Sequence, residues 1–314
     1  MTSPLLSLPG AVAGAGIDAP VAAHYGSFNL EQRALESGDG FVDLSHRGVV
    51  RVSGPDRLAW LHSLTTQHLS DLPPGQPTVA LVLSPQGHVE HALYGIDDGE
   101  AFTAHLEPGT AAALVEWLDR MRFLMQVEVA DVTAEVAVAW RPGSGYDLVP
   151  RERLTAYAEA AGPAAGMWAF EALRIARGEP RFGLDTDQRT IPNEVGWITD
   201  APWSAVHLDK GCYRGQETVA RVHTLGRPPR RLTLLHLDGS VNRLPEHGTP
   251  LTYDGREVGF VGSSARHHEL GPIALGLVKR AVPLDATLDA GGIPAAQEVV
   301  VDPEVGLHAR PKLG

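Results

Sequence analysis

The strongest constraint on the fold is a regular succession of strand and helix patterns between residues 48 and 132. Residues 48–53 alternate as a strand does, and Pro55 and Asp56 then suit the first turn of a helix. Further strand patterns follow at 78–84, 88–95, 101–106 and 127–132, with a second helix from Pro108 to Met121. The order β-α-β-β-(β)-α-β predicts a ferredoxin-like subdomain over residues 48–132.

The last third of the chain has a different character, in which short strands alternate with turns. Strand patterns occupy residues 232–237, 250–253, 257–262, 273–278 and 295–301. Asp254 and Gly255 lie between two of them and form a strong two-residue hairpin signal. The regular spacing indicates a small sandwich or barrel, and we predict a domain boundary near Arg230.

Between these two parts lie helical patterns at residues 152–161 and 166–177, followed by an irregular stretch at 178–209 that is rich in Gly and Pro. Three large aromatic residues lie in that stretch, namely Phe182, Trp197 and Trp203. A functional loop is therefore favoured over a disordered one. The first twenty residues are rich in Ala, Gly and Pro and contain no Lys or Arg, so we expect a disordered leader rather than a secretory signal.

The bulk properties of the chain exclude several classes of protein. A net charge of −12 argues against a binder of duplex nucleic acid, which needs a basic face. The single cysteine excludes an internal disulfide and a four-cysteine metal cluster. No apolar run approaches the roughly 20 residues of a membrane span, and a cytoplasmic location is expected by default. His267 and His268 are adjacent, but neighbouring side chains point in different directions, so no metal site is predicted there.

The only cysteine, Cys212, lies in the segment 209–221, whose sequence is DKGCYRGQETVAR. Lys210 and Arg214 flank it, and nearby cations favour the thiolate form. The two glycines of the segment permit close backbone approach, and residues 216–225 are predicted to form a helix that ends at Gly226. A helix N-terminus favours anions, so the segment suits a reactive thiolate or an anionic ligand beside it. A small buried apolar side chain is the alternative interpretation of the cysteine.

The cysteine segment resembles the K-G-C-Y-x-G-Q-E-x-V-A-R signature of the YgfZ folate-binding family, through residues 210–217 and 219–221. Further matching segments lie at residues 43–47, 52–56, 61–67, 171–178 and 191–194. Mitochondrial relatives in this family assist iron–sulfur cluster assembly. The family is similar in fold to the T-protein of the glycine cleavage system, a tetrahydrofolate-dependent aminomethyltransferase.

The resemblance implies an α+β fold in which interleaved α/β subdomains, one of them ferredoxin-like, and a C-terminal β-barrel surround a central cavity. The implied divisions are a folate-binding module at 21–230 and a barrel at 231–314, after the leader at 1–20. Tetrahydrofolate is the implied cofactor. The implied partners are iron–sulfur client or assembly proteins, with no nucleic acid and no membrane.

The resemblance also implies roles for individual residues. Glu194, two residues after Pro192, matches the T-protein glutamate that accepts hydrogen bonds from the N–H edge of the pterin. Trp197, Trp203 and Tyr213 are candidates for stacking on the pterin ring. The cofactor-binding set comprises Glu194, Trp197, Lys210, Tyr213, Arg214, Gln216 and Arg221. Cys212 is the implied catalytic thiolate.

The glutamyl tail of a folate is anionic, and several arginines near the predicted domain boundary are candidates to meet it. They are Arg221, Arg227, Arg230 and Arg231. An exposed linker run of charges is an equal alternative for the last three.

One departure from the T-protein leaves the activity open. Where that enzyme carries an Asp-Asp pair after a glycine turn, this chain has Glu90 and His91. A glutamate is one methylene longer, and a histidine is a different base. Three functions are therefore kept: a folate-binding accessory protein for iron–sulfur cluster assembly or repair that uses Cys212, a tetrahydrofolate-dependent one-carbon transferase that uses Glu90 and His91, and a scaffold that has lost its ligand.

Overall fold

The computed structural model describes residues 1–199 and 204–308, which fold as an α+β protein, as predicted. The strands are β1 (Val12–Ala13), β2 (Ala22–His24), β3 (Phe41–Asp43), β4 (Gly48–Ser53), β5 (Thr78–Leu83), β6 (Val89–Asp97), β7 (Ala101–Leu106), β8 (Glu128–Asp131), β9 (Val136–Arg141), β10 (Gly145–Pro150), β11 (Ala164–Ala165), β12 (Arg230–Leu237), β13 (Pro250–Tyr253), β14 (Arg256–His267), β15 (Gly271–Lys279), β16 (Leu288–Ala290) and β17 (Pro294–Val299). The α-helices are α1 (Phe28–Glu36), α2 (Arg57–Leu64), α3 (Ala111–Met121), α4 (Leu154–Ala160), α5 (Met167–Ala176) and α6 (Gln216–Leu225). Among these residues, no helix has the length and apolar character needed to cross a bilayer.

One layer is a five-stranded antiparallel sheet with the neighbour order β5-β6-β7-β4-β8. Its order along the chain is the predicted one, and its neighbour order is that of a ferredoxin-like sheet with one extra strand. Helices α2 and α3 pack on one face, through Trp60 and Leu114 among others. The opposite face packs through Leu81 and Ala92 against the barrel residue Leu275. This second face therefore forms one side of the apolar core that lies between the sheet and the barrel.

A second, four-stranded sheet has the order β10-β9-β3-β11 and shares a core with α1 and α5. Strand β3 precedes the first sheet in the sequence, whereas β9 and β10 follow it, so the two subdomains are interleaved along the chain. Helix α1 and strands β3, β9 and β10 are not predicted from the sequence. Strand β9 reads Val-Ala-Val-Ala-Trp-Arg, which is apolar at every position but the last and therefore lacks the alternation of a half-buried strand.

Strands β12 to β17 close into a six-stranded barrel in the order β12-β15-β14-β13-β16-β17, which decides between the barrel and the sandwich. Leu235, Leu251 and Val261 lie in its buried core. Asp254 and Gly255 connect β13 to β14 with φ angles of 49° and 70°. Two positive φ angles are what a two-residue Asp-Gly hairpin requires, so this turn forms where the sequence predicts it.

The first twenty residues are ordered, so the expectation of a disordered leader is wrong. Leu5 is buried and packs in a cluster with Phe41 and Leu154. The hydroxyl of Ser3 donates a hydrogen bond to the Asp43 carboxylate. These partners lie tens to more than a hundred residues away in the sequence. The composition of the segment therefore gave no sign of them.

A buried ionic network joins this N-terminal segment to the interior. The Arg181 guanidinium lies 3.1 Å from Asp18, 2.7 Å from Glu107 and 2.9 Å from Glu171. Burial acts to lower the pKa of Arg181, but the three carboxylates outweigh it and raise that pKa. Because Asp18, Glu107 and Glu171 come from three separate parts of the chain, Arg181 fixes the start of the long irregular stretch against both subdomains.

Candidate functional site: a central pocket and the cysteine loop

The long irregular stretch lines an open pocket of about 790 Å³ where the first sheet meets the barrel. The start of β6 contributes Val89 and Glu90, and β14 contributes Phe260. The irregular stretch adds Phe182 and Asp187. The pocket therefore combines two carboxylates with two phenyl rings. Glu90 and Phe182 are residues to which the sequence itself points, whereas no sequence pattern indicates Asp187 or Phe260.

Glu90 enters the pocket because of an irregularity in β6. The pairing with β5 shifts between Val82 and Leu83, so that Leu83 lies opposite Val89 and Val82 lies opposite His91. Two consecutive residues of a bulged strand can thereby approach the same side. Val89 and Glu90 both line the pocket as a result.

His91 does not join Glu90 in the pocket. Directly opposite residues of an antiparallel pair share a face, and its partner Val82 belongs to the core beneath α2 and α3. Burial lowers the pKa of His91 to about 4, so the imidazole is neutral near pH 7. The predicted use of Glu90 and His91 as a joint acid and base is therefore wrong.

Asp187 is held in its charged form by Arg230. The guanidinium of Arg230 donates to both oxygens of Asp187, over 2.6 and 3.0 Å. Burial acts to raise the pKa of Asp187, but the hydrogen bonds from Arg230 and Thr190 outweigh it and lower the pKa to about 2. Asp187 is thus a carboxylate at any pH near neutrality.

Glu194 lies behind the pocket rather than on its surface. Its carboxylate is buried and accepts from Nε and Nη2 of Arg230, each over 2.9 Å, and from the backbone N–H of Ile191 over 3.1 Å. Arg230 therefore bridges Glu194 and the pocket-lining Asp187. Glu194 does not itself line the pocket, so direct contact between it and a pterin stays a prediction.

Two of the arginines that were considered for an anionic tail are committed elsewhere. Arg230 is engaged by the carboxylates just described. Arg231 is fully buried and donates to the backbone oxygens of Lys279, Arg280 and Val282 at the end of the barrel. Both residues are therefore structural, and the expectation that they meet a ligand tail, or form an exposed linker run, is wrong.

Arg221 and Arg227 are exposed. The Arg227 guanidinium lies 3.9 Å from Glu304. Neither residue lines the pocket within the described part of the chain.

In the cysteine loop, which is the part of the cysteine segment before α6 (residues 209–215), Lys210 acts as an anchor. Its ammonium group is buried and donates to the backbone oxygens of His62 and Thr65 at the end of α2, the latter over 2.5 Å. The same group lies 5.1 Å from the ring centre of Tyr213. Burial lowers the pKa of Lys210 to about 8. Lys210 thus fixes the loop to a helix end, which is a different role from the predicted contact with a cofactor.

Gly215 allows the loop to lie against the turn between β5 and β6. Its φ is 80°, and an added Cβ would lie 2.6 Å from the carbonyl oxygen of Ser84 and 2.8 Å from the Cα of Gly87. Gly211 has no such constraint, since an added Cβ there meets nothing within 4 Å. Only the second glycine of the motif is therefore required by close packing.

Cys212 is exposed, which excludes its interpretation as a buried apolar side chain. It does not line the pocket within the described residues. Arg214, two residues later, lies 3.3 Å from Glu90 and so connects the cysteine loop to the pocket. Helix α6 begins at Gln216 as predicted.

The remaining predicted contacts with a cofactor are mainly packing residues. Tyr213 and Trp197 are buried together in the central apolar core. Gln216 is half-buried at the first position of α6, and its backbone N–H donates to the carbonyl oxygen of Tyr213. Trp203, the remaining stacking candidate, lies outside the described residues.

The described residues contain one group with the spacing of metal ligands, formed by Glu36, His267 and His268, whose ligand atoms lie within 4.8 Å of one another. The Nδ1 atom of His267 accepts from the backbone N–H groups of Glu269 and Leu270, each over 3.2 Å. A neutral His267 therefore carries its proton on Nε2, the atom that faces Glu36. That tautomer cannot ligate a metal through Nε2, so the group is better explained as a hydrogen-bonded contact between α1 and the end of β14.

The fold that surrounds the pocket is aminomethyltransferase-like. The family profile described as "GCVT N-terminal domain" matches residues 10–140. The structure of the glycine cleavage system aminomethyltransferase T from Bartonella henselae superposes with a TM-score of 0.77, over 96% of this chain and 97% of that chain, at 18% identity. This likeness establishes the fold.

Two curated relatives are named as transferases. An aminomethyltransferase from Rubrobacter xylanophilus is 28% identical over 312 residues, covering 84% of this chain and 81% of that protein. A protein of Arabidopsis thaliana named "Putative transferase At1g60990, chloroplastic" is 26% identical over 308 residues, covering 81% of this chain and 69% of that protein. The narrower assignment to the YgfZ family stays a prediction.

Proposed function

We propose that this protein binds a reduced folate in the central pocket. A pterin presents N–H donors along one edge and flat faces on either side. Glu90 and Asp187 supply acceptors for such donors, and Phe182 and Phe260 supply apolar ring faces. The pocket volume of about 790 Å³ lies within the range of about 300–1,000 Å³ that is typical of small-molecule sites. The observation that carries the proposal is this combination of acceptors and aromatic faces in one pocket of an aminomethyltransferase-like fold.

The role of the bound folate in this proposal is to support iron–sulfur cluster assembly or repair, with Cys212 as the reacting or ligating thiol. The exposure of Cys212 supports this role, because a client protein can reach the sulfur. The separation of His91 from Glu90 also supports it, because acid and base are not paired in the pocket. The proposed location is the cytoplasm, and the proposed partners are iron–sulfur client proteins.

A second candidate function is a tetrahydrofolate-dependent one-carbon transfer. Glu90 favours it, since this carboxylate lines the pocket at the position where the T-protein resemblance places an aspartate. In that case Glu90 alone handles the proton, without His91.

Calorimetric titration with 5-formyltetrahydrofolate tests the binding proposal. The wild type is expected to bind, and Glu90→Gln to bind about tenfold more weakly, because a charge-assisted acceptor is lost. Glu116→Gln on the exposed surface of α3 is the matched control and is expected to bind like the wild type. Neither heat nor a thermal shift from the wild type at millimolar ligand would reject the proposal and favour a scaffold without ligand.

Two further assays separate the accessory role from the enzyme. Cys212→Ser is expected to lose support of iron–sulfur enzymes in cells while it retains folate binding. Incubation with methylene-donating amines and tetrahydrofolate is expected to give binding without turnover. Sustained turnover that depends on Glu90 would replace the accessory role by the transferase.

A further inference from the structure

The pocket contains one fixed and one loosely held ion pair. Asp187 is fixed, since Arg230 contacts both of its oxygens and is itself held by the buried Glu194. Glu90 is loosely held, since a single contact of 3.3 Å joins it to Nη1 of Arg214. Both side chains of this second pair are 37% exposed. An exposed pair of this kind contributes little stability, so it can be exchanged for another partner at low cost.

Arg214 is the cation best placed to meet an anionic group on a pocket ligand. No lysine or arginine lines the pocket within the described ranges. The donors of Arg230 are already used by Asp187 and Glu194. Arg214, in contrast, contacts a lining residue from the edge and is exposed.

The residues on either side of Arg214 fix its backbone beside the pocket. Gly215, the next residue, lies against the turn that precedes β6, and Lys210 fixes the other end of the loop to α2. Glu90 follows the same turn on the other side. The backbones at Arg214 and Glu90 are therefore fixed relative to each other, while the two side chains remain free to rotate into solvent.

We propose that Arg214 and Glu90 form an exchangeable ion pair that selects folates by their glutamyl carboxylates. When the ligand binds, Arg214 leaves Glu90 and pairs with a tail carboxylate. Glu90 then accepts hydrogen bonds from the heterocycle, so that each charge of the resting pair acquires a ligand partner. A ligand that lacks the tail anion cannot pair with the positive charge of Arg214 and therefore binds more weakly. This inference rests on the proposed folate binding.

The test compares 5-formyltetrahydrofolate with its diamide, in which both tail carboxylates are amides. Arg214→Gln is expected to lower the affinity for 5-formyltetrahydrofolate about tenfold, as for loss of one charge-assisted pair. The affinity for the diamide is expected to stay the same or to rise by less than about twofold, because the diamide offers Arg214 no anionic partner. Arg214→Lys keeps the charge and is expected to recover most of the loss. Arg120→Gln, which removes one exposed positive charge on α3, is the control for net charge and is expected to change neither affinity.

The possible results distinguish failure of the role of Arg214 from failure of folate binding itself. Equal losses for both ligands, or no loss for either, overturn the role of Arg214 while folate binding itself stands. Failure of the wild type to bind either ligand overturns folate binding and the inference together. The unfolding midpoint of Arg214→Gln, expected to match the wild type because the side chain is exposed, shows that any loss is not due to unfolding.

Discussion

Replacement of Gly215 by alanine is expected to force the cysteine loop away from the turn on which it lies. The backbone at Gly215 has a φ of 80°, a region in which a side chain is strained. The new Cβ would also meet the Ser84 carbonyl oxygen at 2.6 Å and the Gly87 Cα at 2.8 Å. Both of these are backbone atoms within a packed turn, so neither can rotate aside as a side chain would.

The expected magnitude follows from these two effects. The left-handed conformation costs an alanine about 1–2 kcal/mol, and a forced backbone shift in a packed site adds about 1–3 kcal/mol. Gly215→Ala should therefore lower the free energy of unfolding by about 2–5 kcal/mol. Gly211→Ala is the matched control from the same loop, because its added Cβ meets nothing within 4 Å and its φ is not in the left-handed region.

Urea unfolding followed by tryptophan fluorescence measures both variants. Gly211→Ala is expected to differ from the wild type by less than about 1 kcal/mol, with any change toward higher stability through a less flexible unfolded chain. Equal unfolding midpoints for the two variants, or a larger loss for Gly211→Ala, would refute the argument from close backbone contact. A second readout is ligand affinity, which Gly215→Ala should weaken because Arg214 moves away from Glu90.

Two further predictions concern buried charges. The pKa of Lys210 is about 8 in the fold and 10.5 when unperturbed, so the unfolded chain binds more protons between these values and the free energy of unfolding rises with pH across that window. The fall in pKa corresponds to about 3 kcal/mol. The free energy of unfolding of the wild type, relative to that of Lys210→Met, should therefore rise by up to that amount from pH 8 to 10.5. A difference between the two proteins that does not change with pH would show that the lysine is not desolvated. Arg181→Met should lower the free energy of unfolding by about 3–5 kcal/mol, because the buried Glu107 and the largely buried Asp18 and Glu171 lose their shared cation. The exposed Arg177→Met should lower it by less than about 1 kcal/mol. A urea titration in which these two variants are alike would contradict that reasoning.

The sequence determined those parts of the fold that short-range patterns control. Strand β4 lies at the residues that its alternation predicted, and β7 lies where a short strand was predicted. Helix α6 starts after Gly215 and ends before Gly226, as the glycine signals required. The hairpin at Asp254 and Gly255 formed because its backbone preference is local. Each of these features depends on residues within about one turn of helix or one hairpin.

Of the functional site, the sequence identified the components but not their arrangement. The cysteine segment, Glu90 and the irregular stretch were all recognised from local composition and motif. Their roles depended on contacts across the fold. Lys210 proved to be an anchor because the end of α2 lies beside it, and Glu194 is occupied because Arg230 reaches it from the barrel.

Tertiary structure alone decided which charges face the pocket. A shift in the pairing of β6 with β5 places Glu90 in the pocket and His91 on the other face of the sheet. The shift depends on β5, which is a separate segment of the sequence. The N-terminal segment is ordered by contacts with residues far along the chain, among them the ion pair between Asp18 and Arg181 and the packing of Leu5 with Phe41. Ion pairs and close backbone contacts between distant residues leave no periodic pattern and no compositional signal in the local sequence. A single sequence therefore indicates which groups are available, and the packing of the sheets against the barrel determines which of them meet.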